Sequence, residues 1–306
     1  MIRTLLRTSI LGCLLISMVS CNTDEAAKPT YVKINALHLN TDYSEEGSAH
    51  SNFTTVWLNL NGQSLGAFEL PAIVPMILKE GSNDLRIEAG INTNGISSFR
   101  SINTSFSPIE YNLEYSSSGS APDTLVIPES ELIFNYRSFF AVNIVEDFDD
   151  PGINFQRTNF SDTNLMKVAD ADSIFNFTPY GSNTAEPNVA SGLIVLDDLN
   201  PRLDLLSTVG YDIPLGTQNV YLEVTYRSNT QIGFGLWANL PTGDRGDITA
   251  GVLPKSDWNK IYINLISEFQ AYQGATDYQI MIRAQKDNNT DEGRIYLDNI
   301  KLVYAQ

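Results

Sequence analysis

The chain has 306 residues and carries 19 Lys and Arg against 36 Asp and Glu, a formal net charge of −17 at pH 7. Such acidity leaves no broad basic surface to neutralise a phosphate backbone, which excludes general nucleic-acid binding. Two cysteines and two histidines are too few for a zinc-finger framework or a disulfide-stapled scaffold, whereas 42% hydrophobic and 18% charged residues suffice for packed cores in two ordinary domains.

Arg3 and Arg7 precede the apolar run Ile10 to Val19, which ends at Ser20-Cys21. This is the layout of a secretory signal, and the run is shorter than the roughly 20 residues that span a bilayer. Met18-Val19-Ser20-Cys21 resembles the lipobox of bacterial lipoproteins. The resemblance implies that residues 1–20 form a signal peptide and that a covalent lipid is carried on Cys21, whose thiolate is the one side chain nucleophilic enough to take it. Loss of Arg3 and Arg7 would leave 17 basic against 36 acidic side chains. Residues 21–30 then read as a polar, lipidated tether. Its Asp24-Glu25 pair resembles the export signal of SusD-type lipoproteins and implies an outer-membrane anchor facing the cell surface.

Beyond the tether no segment of 12 or more residues sustains helical apolar spacing, and short β-rich runs recur, so the expected class is all-β with two β-sandwich domains. Residues 31–130 form the first. Its runs are Tyr31 to Leu39, Thr54 to Leu60, Leu65 to Leu70, Asp84 to Ala89 and Ile109 to Tyr115, with Asn61-Gly62 as the strongest hairpin signal. The string from Trp57 through Asn61-Gly62-Gln63, Leu65-Gly66, Glu69-Leu70-Pro71 and Gly90 to Ile96 resembles the N-terminal domain of uncharacterised surface lipoproteins and, distantly, PEGA-like sandwich modules. Thr124 to Ile127 reads as a strand that could close the first sheet, and the seam falls near Glu131 to Phe139.

The second domain is expected over residues 138–306, with strand runs at Phe140 to Val145, Ser191 to Leu196, Val220 to Tyr226, Ile232 to Ala238, Lys260 to Leu265, Tyr278 to Ala284 and Arg294 to Val303. Three segments occur in the order found in galactose-binding-like jelly rolls, the fold of many carbohydrate-binding modules. They are Val145 to Asp149, Ser256 to Leu265 and Ile295 to Val303, and each resembles its counterpart in that family. The resemblance implies a structural calcium ion (Ca2+) held by Asp149, Asp298 and Glu146 or Asp147, groups that meet if the first and last strands pair and that supply the oxygen ligands calcium requires. The acidic run Asp287 to Gly293 has Glu292 where an EF-hand loop needs glycine, so it reads instead as a hairpin turn before the last strand. Arg245-Gly246-Asp247 reads as a turn.

Candidates for chemistry are sparse. His38 and His50 lie near no nucleophile motif and read as surface or loop histidines, and Gly233-Phe234-Gly235 has no helix after it to cradle a phosphate. Sugar rings stack on exposed indole or phenol faces while polar neighbours bond their hydroxyls. Trp237, Trp258 and Tyr272 are therefore the candidate ligand-binding residues, with Tyr226 and Tyr262 in support and Asn239 and Arg283 as polar partners. The expectation is a non-enzymatic outer-membrane lipoprotein that binds or scaffolds, either capturing glycan or serving as accessory subunit of an outer-membrane β-barrel protein complex. The alternative is a secreted glycan-active enzyme using a carboxylate pair in a sandwich cleft.

Overall fold

A computed structural model describes residues 29–116, 124–288 and 291–306. The expected signal peptide, Cys21 and nearly all of the tether lie outside the described residues. In the first half the elements are β1 (Thr30–Ile34), β2 (His38–Leu39), α1 (Tyr43–Glu46), β3 (Thr55–Leu60), β4 (Gln63–Glu69), β5 (Ala72–Met76), β6 (Gly81–Asn92), β7 (Arg100–Ile102), β8 (Ile109–Tyr115), β9 (Thr124–Val126) and β10 (Ile133–Phe134). One sheet runs β4-β3-β6-β7 with β8 also on β6, a second runs β5-β1-β9, and β10 pairs with β2. Alternation drives the assembly: Val56, Leu58 and Leu60 of β3 and Leu85 and Ile87 of β6 share one core with Val32 and Ile34 of β1 and Val74 and Met76 of β5. Each such side chain contributes about 1.5–3 kcal/mol by leaving water. Asn61 and Gly62 both take positive φ, 51° and 82°, and set Leu60 opposite Gln63, as an Asn-Gly hairpin should. Thr124 to Val126 does close a sheet, in parallel with β1.

The second half contains β11 (Phe140–Glu146), β12 (Phe155–Arg157), β13 (Leu165–Val168), β14 (Ser191–Leu196), β15 (Arg202–Ser207), β16 (Val220–Ser228), β17 (Ile232–Asn239), β18 (Arg245–Val252), β19 (Lys255–Asn264), α2 (Ile266–Ala271), β20 (Asp277–Gln285) and β21 (Gly293–Ala305). A six-stranded sheet runs β13-β14-β21-β16-β19 with β11 also on β21, and a five-stranded sheet runs β12-β15-β20-β17-β18. Leu222, Val224, Leu297 and Leu302 of the former meet Phe234, Leu236, Ile280 and Ile282 of the latter. The chain is all-β.

Two expectations are corrected. Arg245-Gly246-Asp247 is no turn but the start of β18, paired with β17. Its poor strand propensity is explained by Gly246, where a Cβ would lie 2.4 Å from the Trp237 ring. Nor is Asp287 to Gly293 a hairpin turn, because β20 and β21 belong to different sheets and the segment links the two layers.

The halves are tied together rather than strung apart. Tyr221, Tyr262 and Val303 of the second half belong to the first half's core, and Thr93 forms a parallel bridge to Tyr262. The outer face of the six-stranded sheet is thereby covered by the first half.

Candidate functional site

The five-stranded sheet has an outer face that carries polar side chains and an indole. Along β17, Trp237 and Asn239 are half-buried while Leu236 and Ala238 between and beside them are fully inside. Trp237 pairs with Gly246 on one side and Gln279 on the other. The glycine matters because its bare Cα leaves room for the six-membered ring of the indole to lie over the strand. Asn239 donates to Asp277 at 2.5 Å and to Gln279 at 3.3 Å, and Gln279 donates to the Ser207 carbonyl. Further along the same face, Arg283 pairs with Gly233 across one neighbour and Asp204 across the other. Arg283 Nε donates to Asp204 at 2.5 Å, and Asp204 also accepts from the Thr158 hydroxyl at 3.0 Å. A groove of about 420 Å³ opens here between Arg202, Asp204, Gly233, Ile248, Arg283 and Phe160, the last with 70% of its surface exposed.

The structure thus brings Trp237, Asn239 and Arg283 onto one sheet but leaves the other aromatic candidates elsewhere. Trp258 stands on the six-stranded sheet, edge-on to Phe175 at 5.4 Å and Tyr296 at 6.3 Å, with the Arg227 guanidinium 5.3 Å from its ring. Tyr272 follows α2, packs on the core of the second half and bonds Asp247 through its hydroxyl. Tyr226 and Tyr262 are buried; the hydroxyl of the first donates to the Leu253 carbonyl and that of the second accepts from the Asn52 backbone, so neither presents an open ring face for stacking. Sequence alone singles out Asn239 and Arg283 but not Asp204 and Gln279, because these two sit in strands whose pairing is set by distant chain segments.

The covered face of the other sheet is a contrasting site. Lys260 and Glu223, neither with accessible side-chain surface, pair at 3.3 Å, and the Tyr136 hydroxyl donates to Glu223 at 2.9 Å. Lys301 donates to the Ser48 carbonyl at 2.7 Å, 5.6 Å from the Tyr136 ring centre. Burial drives the Lys301 ammonium down to about 7, with Lys260 beside it pushing the same way. His50 lies in a loop, as one of the two expected placements has it, but is turned inward rather than to the surface. Its ring is half-buried, packs on Phe175 and Phe177 and contacts Thr225 Oγ1 at 3.2 Å, and burial drives it down to about 3. At the margin of this seam, a second cleft of about 420 Å³ is lined by Asn52, Asn94, Asn259, Lys255 and the two buried tyrosines.

The first and last strands of the second half do pair, which brings the expected calcium ligands into one region without fitting them for the ion. A bulge in β21 gives Asn299 a left-handed φ of 44°. Asp298 there accepts from Ser191, from Asn188 at 2.9 Å and from the backbone and side chain of Asn299 at 2.8 Å each. Burial raises its carboxyl to about 8. Asp149 accepts from Tyr43 and the Val189 backbone, and Glu146 from the backbones of Phe148 and Asn154. Carboxylates engaged by hydrogen donors do not present the cage of 6 to 8 free oxygens that calcium takes. Among the described residues no group of three or more His, Cys, Asp and Glu is placed to hold a metal ion.

No protein-family model matches the chain, and no curated protein matches it. Solved structures similar to it include a carbohydrate-binding module of the β-sandwich superfamily described for promiscuous specificity, 14% identical over 81% of this chain and 84% of that one, with a TM-score of 0.35. A family 11 carbohydrate-binding module from a cellulosomal cellulase of Clostridium thermocellum is 15% identical over 54% of this chain and 95% of that one, at 0.34. A family 30 module from another cellulosomal cellulase of that organism is 12% identical over 52% and 95%, at 0.36. At scores this low, the likenesses assign neither ligand nor site to this chain.

Proposed function

We propose that the protein is a non-enzymatic, lipid-anchored glycan-binding module that takes its ligand on the outer face of the five-stranded sheet. The observation that carries this reading is the Trp237 ring lying over Gly246 beside Asn239 and Gln279, with Arg283 further along the same face. An indole laid along a sheet offers a face for the apolar side of a pyranose, and amide groups at its edge, with a guanidinium further along the face, suit the hydroxyls. Catalysis is disfavoured because Asp204 is tied to Arg283 and because Glu223 and Asp298 are fully buried, beyond the reach of a sugar. The lipobox-like Met18 to Cys21 and the acidic pair Asp24-Glu25 support an outer-membrane anchor facing outward.

The test is a glycan array followed by calorimetry on the best ligand. Trp237→Ala should lower affinity by about tenfold or more, the loss of roughly 1.4 kcal/mol, whereas Trp258→Phe should leave it unchanged. Equal affinity in wild type and Trp237→Ala would sink the reading, as would binding to no glycan at all.

A further inference from the structure

The outer face of the sheet β5-β1-β9 is apolar as well as its inner one. A sheet with one face in water normally alternates apolar in and polar out. In β5 the inward Ala72, Val74 and Met76 are buried, yet the outward Ile73 and Pro75 are apolar too, as is Ile77 just beyond. Ile73 is 59% exposed and Ile77 61%. Strand pairing extends the patch: Tyr31 lies opposite Pro75, and Lys33 lies opposite both Ile73 and the exposed Val126. In a chain with 36 acidic residues, this face carries none. Large apolar patches of this kind mark contact surfaces.

The chain itself indicates what covers the patch. β1 is the first described strand, and eight residue steps lead from Cys21 to Pro29, a reach of at most about 29 Å. A lipid on Cys21 would hold β1 that close to the bilayer, at an effective concentration high enough for a weak apolar contact to form. The chemistry of the face also favours lipid over protein. A protein interface needs roughly one hydrogen bond per 100–200 Å², and among the described residues this face offers only Lys33, Thr124 and the Tyr31 hydroxyl as polar side-chain groups. A membrane interface asks for apolar area, accepts a tyrosine ring at headgroup level and pairs a lysine with phosphate. We propose that the Tyr31, Ile73, Pro75, Ile77 and Val126 face seats on the lipid surface that carries the anchor, fixing how the first half stands on the membrane. The proposal rests on the anchored reading above and goes beyond it.

The experiment places a photo-crosslinking amino acid, p-benzoylphenylalanine, at Ile77 of the full chain in its host, with a control at Leu253, exposed in the second half. Irradiation should give lipid adducts on the peptide holding position 77 and none at 253, and Ile73→Glu should lower the adduct yield about tenfold. A discrete protein adduct at 77, such as a β-barrel partner, would overturn the proposal. So would an adduct to a second copy of this chain, or no adduct. Mass spectrometry of the N-terminal peptide reads acylation of Cys21 in the same sample. If Cys21 is unmodified the anchor reading fails by itself. The face is then tested on the same labelled chain, held through an N-terminal His tag on vesicles of phosphatidylethanolamine, phosphatidylglycerol and a nickel-chelating lipid. Lipid adducts at position 77 there sustain the proposal, and their absence overturns it.

Discussion

The two sheets of the second half both place charged and aromatic side chains on their outer faces, and those side chains meet opposite fates. On the six-stranded sheet the first half closes over Glu223, Lys260 and Lys301, Asp298 is sealed by Asn188 and Ser191 nearby, and each of the four is buried. On the five-stranded sheet Asn239, Gln279 and Arg283 stay within reach of solvent around Trp237. The same strand pattern therefore yields an internal polar joint in one case and a candidate binding face in the other. What separates them is whether another part of the chain arrives to cover the sheet. Buried charge is costly unless it is paired or hydrogen-bonded, and here the Tyr136 hydroxyl on Glu223 and the Ser48 carbonyl on Lys301 tie the sheet to the segments that cover it.

The largest effect should come from breaking that joint. Lys260→Met takes from buried Glu223 its ion-pair partner, leaving the Tyr136 hydroxyl and Lys301, opposite it on β21, and should cost about 3–5 kcal/mol in urea unfolding. Adding Glu223→Gln should restore most of it. If the single variant unfolds like wild type, the pair is not sealed from water. On the open face, by contrast, Trp237→Ala should shift the melting temperature by only a few degrees while removing glycan affinity.

The joint also predicts a pH profile that the open face does not share. Asp298 rises from 3.8 to about 8, so between those values the folded state holds a proton that the unfolded chain has lost. Stability from this group therefore falls as pH climbs from about 4 to 8, and Asp298→Asn should remove that fall. Lys301 drops from 10.5 to about 7, so above pH 7 the unfolded chain binds the extra proton and stability from this group rises with pH. His50, lowered from 6.5 to about 3, likewise favours the unfolded chain as pH drops below 6.5. His50→Phe should therefore blunt acid unfolding below pH 6, as followed by tryptophan fluorescence. The smallest expected effect is that of calcium. Millimolar calcium or a chelator should move the melting point by less than a degree, and a shift of several degrees would mean that Asp149 and Asp298 exchange their hydrogen donors for the ion.

The all-β class could be read from the sequence because strand periodicity is a local property, visible in runs such as Val220 to Tyr226 or Tyr278 to Ala284. The Asn61-Gly62 hairpin was equally legible, since both residues tolerate the positive φ the turn demands. Strands such as Leu165–Val168 and Arg245–Val252 escaped because tertiary pairing, not propensity, makes them extended. The site divides in the same way. Trp237 with Asn239 and Arg283 could be picked from one strand's composition and its neighbour, but the role of Gly246 depends on a ring from another strand. The environment of His50 was illegible for a related reason: Phe175, Phe177 and Thr225 reach it from more than a hundred residues away.

One feature of the topology bears on how the protein is made. The longest described strand, β21 at Gly293–Ala305, pairs with β11, β14 and β16 and lends Val303 to the first half's core, yet it follows all of these partners in the chain. Until it arrives, the six-stranded sheet lacks its middle and the joint lacks Asp298 and Lys301. A fold whose central strand comes after every strand it joins stays open until that strand arrives, the condition in which a chain can still pass through a narrow channel before it closes.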